Sequence, residues 1–330
     1  MVLTEDDVKR IGVEILRSVT GKNPYTSLHD DAGYVKIGDR YLLLKIDGYD
    51  LKSALYPWCS LEDFGFRAVT SSVSDVIAKG AKPSYYAFSL GLSSSLTLSD
   101  TSKILKGIAE AIELYGGVLL NADTNIADTT WIDVTIVGFS EVPPIPRRGA
   151  KPGDRVLVPI VGDPFICYYS LYVEKLSTCP SRVAIDKCCR PRVPLRLSTI
   201  LESFRDCVVA SMDISDTFSE TLYEIAALNN ATIVIEIDAL ELLTPTAANY
   251  SEEKGIDPIS VLSGTYEEYL PVIIVKRSCA EDLLTALNSL GLTYIDAGYI
   301  AKGPPVVTLK NGRELPLIKW SSTEASLHST

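Results

Sequence analysis

Histidine is almost missing from this chain: its 330 residues include two, His29 and His328. A Ser-His-Asp triad, a three-histidine zinc site or a His-Glu-x-x-His helix is hard to assemble from that supply. Also missing are the Gly-x4-Gly-Lys-Ser/Thr phosphate loop and the Gly-x-Gly-x-x-Gly turn. Any nucleotide chemistry therefore has to rest on carboxylates and metal ions. No apolar run approaches the roughly 20 residues of a membrane span. The opening Met1-Val2-Leu3-Thr4-Glu5-Asp6-Asp7 is acidic where a secretory leader is basic and then apolar. The expectation is a cytoplasmic protein with no membrane partner. Positive charge is short as well, and a net charge of −11 argues against nucleic acid as a partner. Seven cysteines, an odd number without regular spacing, do not read as a disulfide framework. Buried structural thiols are expected, with disulfides an option for a hyperthermophile source.

What remains is an ordinary globular composition, 46% hydrophobic and 22% charged, long enough for two domains. Helical periodicity marks residues 4–19, 62–80 and 100–115, the last stopped by Gly116-Gly117. Short apolar runs at 41–46, 87–92, 118–120 and 131–139 read as strands. The stretch 142–154, with four prolines and two glycines, breaks this rhythm and places a boundary between domains 1–145 and 146–330. Beyond it, strands are expected at 155–160, 208–212, 231–237, 271–275 and 294–300, with Asp213-Ile214-Ser215-Asp216 at the turn that follows the second. Helices follow at 217–228 and 280–290. The alternation predicts an α/β (α+β) fold, mixed sheets packed with helices.

Asp30-Asp31, Asp47, Asp75 and Asp123 are the residues on which chemistry could rest. Asp47 closes one apparent strand, Asp123 follows another, and Asp30-Asp31 sit in a polar turn. Magnesium takes a few carboxylates beside phosphate oxygens and water, so scattered aspartates gathered at one sheet edge suit a bound triphosphate. The same residues are also ordinary turn and cap formers, and spacing alone leaves both uses open.

The local sequences add to this. Asp30-Asp31-Ala32, Asp47, Ser74-Asp75-Val76-Ile77-Ala78-Lys79-Gly80-Ala81-Lys82-Pro83 and Ala122-Asp123-Thr124 resemble the ordered motifs of the thiamine-monophosphate kinase family. That family belongs to the aminoimidazole ribonucleotide synthetase-like superfamily. The resemblance continues through Arg147-Arg148-Gly149-Ala150-Lys151-Pro152-Gly153-Asp154 and Met212-Asp213-Ile214-Ser215-Asp216, and more loosely through Leu262 to Tyr269.

It implies a two-domain architecture in which the first sheet pairs with a second subunit and the second domain closes over the nucleotide. It further implies magnesium held by Asp30, Asp47, Asp75, Asp123, Asp213 and Asp216. ATP would be met by Ala122, Asp123, Ser215 and one of Arg147 and Arg148. Glu267 or Glu268, with Trp320, would face a small phosphorylated metabolite. The implied reaction is direct γ-phosphoryl transfer to thiamine monophosphate, without a protein nucleophile. Against the family pattern, Lys45-Ile46 replaces a Thr-Thr pair, Ser53-Ala54-Leu55 a Val-His-Phe segment and Asn121-Ala122-Asp123 a Gly-Gly-Asp. An ammonium at position 45 could supply part of one ion's charge. A relative with another acceptor, or a nucleotide-binding protein without turnover, is the alternative.

Overall fold

A computed structural model describes Ile11, Gly12, Ile15, Leu16 and residues 30–319. Ile11, Gly12, Ile15 and Leu16 are helical, and the rest of the helix expected over 4–19 lies outside the described residues. His29 and Trp320 lie outside them too. Among the described residues no helix is long and apolar enough to cross a membrane.

The first sheet is built from β1 (Gly33–Ile37), β2 (Arg40–Asp50), β3 (Lys82–Ser93), β4 (Val118–Ala127) and β5 (Trp131–Ser140), in the order β1-β2-β5-β3-β4. Its pairings are antiparallel except β3 with β4, which are parallel. A parallel neighbour needs a crossover, and helix α2 (Leu98–Tyr115) supplies it. Two strands run further than their apolar cores suggest. Asp47 lies inside β2 and Asp123 inside β4, not at strand ends. Alternation explains the difference, because Lys45 and Asp47 fall on the same face as buried Leu43, while Leu44 and Ile46 point to solvent.

Helix α1 (Leu61–Ala78) covers the inner face of this sheet. Ser60 and Asp63 form a reciprocal capping box at its start, and every residue from Phe64 to Ala78 is buried. Such burial requires neighbours all round. α1 packs on β2 and β5, crosses α2, and on its far side reaches β7 (Val208–Asp213) of the second sheet. The crossing with α2 is close. A Cβ at Gly65 would lie 2.2 Å from the Ile104 carbonyl oxygen, and one at Gly107 only 1.8 Å from that of Glu62.

The second sheet adds β6 (Arg155–Pro159), β8 (Thr232–Ile235), β9 (Pro271–Val275), β10 (Tyr294–Ala301) and β11 (Val307–Leu309), in the order β11-β8-β10-β6-β9-β7. One hydrophobic cluster runs through both sheets, joining Val69, Val73 and Ile136 to Leu201, Ile273 and Leu283. The proline-rich stretch passes between the sheets, with the Ile145 N–H bonded to the Lys79 carbonyl and the Ser211 N–H to that of Pro146.

The cysteines overturn the expectation of free thiols. Cys59 pairs with Cys189, Cys167 with Cys179 and Cys207 with Cys279, leaving Cys188 free and buried. Partners separated by 130 and 72 residues come together through the fold, which is why their spacing carries no pattern.

Candidate active site

The carboxylates converge between α1, β2 and the end of β7. Asp75 lies in the last turn of α1, and Lys79 caps that helix with its N–H bonded to the Asp75 carbonyl. The Lys79 ammonium bonds Asp30 at 2.6 Å, the Ser211 carbonyl at 2.9 Å, and Asp31. Arg147, delivered by the proline-rich stretch, grips Asp31 through Nε at 2.6 Å and through a second guanidinium nitrogen. Its backbone N–H also bonds Asp30. On the other flank Lys45 of β2 reaches Asp75 at 2.7 Å and comes within 4.0 Å of Asp47.

Between these flanks lie Asp31, Asp75 and Asp213, all buried, each offering a carboxylate oxygen within 4.8 Å of the others. The Ser74 hydroxyl donates to Asp213 Oδ2 at 2.6 Å, but Asp213 Oδ1 is buried without a hydrogen-bond partner. Burial, helped by the nearby Asp31, pushes the Asp213 carboxyl up to about 6. Burial also raises Asp75, over the opposing pull of Lys45. Asp31 goes the other way. Burial works against its charge, yet Lys79 and Arg147 together hold it below the ordinary carboxylate range. Asp75 and Asp213 thus resist ionising together in the metal-free site, and a hard metal ion is the kind of partner that would favour their charged forms.

Other expected residues are placed differently. Arg148 is exposed, so Arg147 is the member of that pair that turns inward. Asp123 lies opposite Ser89, on the sheet face away from α1, and bonds Asn125 at 2.9 Å. Three strand spacings separate β4 from β2, about 14 Å. Ala122 is exposed beside Asp123, Ser215 is half-buried and Asp216 is exposed in the turn after β7.

Glu267 and Glu268 are both buried, in a segment that runs beside that turn through bonds from the Glu267 and Tyr269 N–H groups to the Ser215 and Ile214 carbonyls. Glu267 pairs with buried Arg67 at 3.5 Å, and Arg67 sits over the rings of Tyr49 and Tyr56. Glu267 and Tyr269 both take left-handed backbone, φ 54° and 56°. Glu268 accepts from the Gly162 N–H at 2.6 Å and from Thr265 Oγ1 at 2.8 Å, and burial pushes it up to about 7. It also lines a cavity of about 690 Å³ with Trp58, Asp63, Lys187, Arg190 and Arg192.

Sequence reasoning missed Lys79 and Arg67 as members of these clusters, and missed the Trp58 cavity. Their signal was present: Arg67, Ser74, Asp75 and Lys79 are polar groups in a helix otherwise read as core.

Residues 29–140, which hold the first sheet with α1 and α2, match the family description "AIR synthase related protein, N-terminal domain". Within that family the particular relatives are consistent. The chain is 31% identical to the thiamine-monophosphate kinase of Archaeoglobus fulgidus over 228 residues, 65% of this chain and 70% of that one. It is 29% identical to the thiamine-monophosphate kinase of Pyrococcus abyssi over 297 residues, 89% of this chain and 90% of its relative. The chain belongs to the thiamine-monophosphate kinase family. Its fold matches that of AaThiL complexed with AMPPCP and TMP, with a TM-score of 0.78 at 23% identity, covering 97% of this chain and 99% of that one.

Proposed function

We infer that this chain uses ATP to phosphorylate thiamine monophosphate, giving thiamine diphosphate by direct, metal-assisted phosphoryl transfer. The observation that carries this is the buried trio Asp31, Asp75 and Asp213, with Asp213 Oδ1 unpartnered, in a member of that kinase family. Asp30, Asp31, Asp47, Asp75 and Asp213 fit magnesium by the chemistry of their donors, which are all hard oxygens. Bound there, magnesium would neutralise charge on the transferring phosphoryl group. Asp216 and Ser215, in the turn after β7, would add to the ion and phosphate contacts, and Arg147 would place positive charge beside the phosphates. Arg148, Ala122 and Asp123 remain assigned to the nucleotide, on the strength of the motif likeness.

Residues 1–145 would thus form the metal and ATP domain, and residues 146–330 the domain that closes over the nucleotide. For the acceptor, the cavity beside Glu268 has a suitable volume and chemistry. Trp58 offers a ring surface, Lys187 and Arg192 suit a phosphate, and the buried Glu268 carboxyl suits the amine-bearing end. Glu267 would act behind it by holding Arg67, and Trp320 is assigned to the same end.

The chain would work as a homodimer in the cytoplasm, where ATP is made available. Support for the dimer is the outer face of the first sheet, where Leu44 and Ile46 are exposed, together with Leu119 and Leu120 on its edge strand β4.

The test is incubation with magnesium, ATP and thiamine monophosphate, with thiamine diphosphate measured by chromatography. Product should form in the wild type and fall by about 100-fold or more in Asp75→Asn, the scale expected for lost transition-state electrostatics. Bound ATP without product would refute the assignment of the acceptor.

A further inference from the structure

The acidic centre has two flanks and a middle. On one flank Lys79 and Arg147 neutralise Asp30 and Asp31. On the other, Lys45 lies between Asp75 and Asp47, with its side chain only 20% exposed. The middle, where Asp31, Asp75 and Asp213 face one another, has no further cation among the described residues, and there Asp213 Oδ1, on a fully buried residue, lacks a hydrogen-bond partner.

We propose that the Lys45 ammonium is a resident cation standing where a second divalent ion would otherwise bind, so that the nucleotide-free protein takes up one divalent ion. This rests on the metal reading given above. With all five linked carboxylates ionised, as a bound cation would make them, they exceed the three cationic side chains by two negative charges, the charge of a single divalent ion. Geometry agrees. Asp75 gives Oδ2 to Lys45 and also offers a carboxylate oxygen within 4.8 Å of those of Asp31 and Asp213. A primary ammonium has three donors and no acceptor, so it can bridge Asp75 and Asp47 as an ion would, but it cannot be displaced by chelation. Lys45 is held there by its strand. Its register opposite Ile136 of β5 points it inward toward α1, alongside Leu43 and Asp47.

The experiment counts ions directly. Mn²⁺ is titrated into nucleotide-free protein, and free Mn²⁺ is followed by its electron paramagnetic resonance signal. The wild type should bind one Mn²⁺ per chain tightly, and Lys45→Met, which keeps the stem and removes the charge, should bind two. Lys45→Gln repeats the measurement should the first variant lose its far-ultraviolet circular dichroism. Two ions or none in the wild type, or a count unchanged by removing the charge, would overturn the proposal. Thiamine diphosphate formation, measured on the same preparations, keeps the kinase reading separate. Wild-type protein that makes product yet binds two ions would refute only the role of Lys45.

Discussion

Glu268 shows how a buried acid couples the state of the site to pH. Its carboxyl is lifted from 4.5 to about 7, chiefly by burial. Folding therefore takes up a proton between those values, and stability falls as pH rises through that window. Glutamine keeps an acceptor for the Gly162 N–H and cannot ionise. Glu268→Gln should therefore match the wild type at about pH 5 and exceed it by roughly 1–3 kcal/mol at about pH 8 in urea unfolding. Parallel pH profiles for the two proteins would show that Glu268 carries no such strain. Arg67 is a contrast at the same scale. Its charge is buried, but a carboxylate and two aromatic rings surround it.

At the scale of elements, the α1–α2 crossing sets the depth of the site, because α1 carries Ser74 and Asp75, with Lys79 at its C-cap, between the two sheets. Gly107 allows the Glu62 backbone to approach closer than any Cβ permits. Gly107→Ala should cost about 2–4 kcal/mol, beyond the gain in helix propensity, since the overlap is with backbone and cannot be relieved by a rotamer change. Thermal unfolding of the variant provides the check, and an unchanged Tm would mean that the helices separate freely.

Most elements were legible in the sequence, since α1, α2, β5, β7 and β9 each have a clear period or a bounded apolar run. The second halves of β2 and β4 were not. There the inward positions are Lys45 and Asp47, or the strand is exposed on nearly every residue, so apolar patterning stops before the hydrogen-bond ladder does. The cage was half legible. Its aspartates could be named from the motifs, but Lys79 was hidden as a helix-terminal residue and Arg147 could not be told from Arg148. The disulfides were illegible, because only the folded chain brings their partners together.

For the whole molecule, the open face of the first sheet is where the proposed dimer can be tested. If two copies cover it, the double variant Ile46→Asp, Leu120→Asp should sediment as a single chain where the wild type sediments at about twice that mass. Wild type already at the mass of one chain would remove the dimer. The Cys59–Cys189 bond acts at the same scale, tying the start of α1 to the helix Arg182–Cys189 of the second half.

The Ser74–Asp213 hydrogen bond has a consequence for how the enzyme is made. Asp31, Lys45 and Asp75 leave the ribosome early, whereas Asp213 follows well over a hundred residues later. Until then the nascent first half already has Lys45 and Lys79 to quiet its aspartates, but lacks the carboxylate that completes the cage. The trio of Asp31, Asp75 and Asp213 is therefore complete only once nearly two-thirds of the chain has been translated.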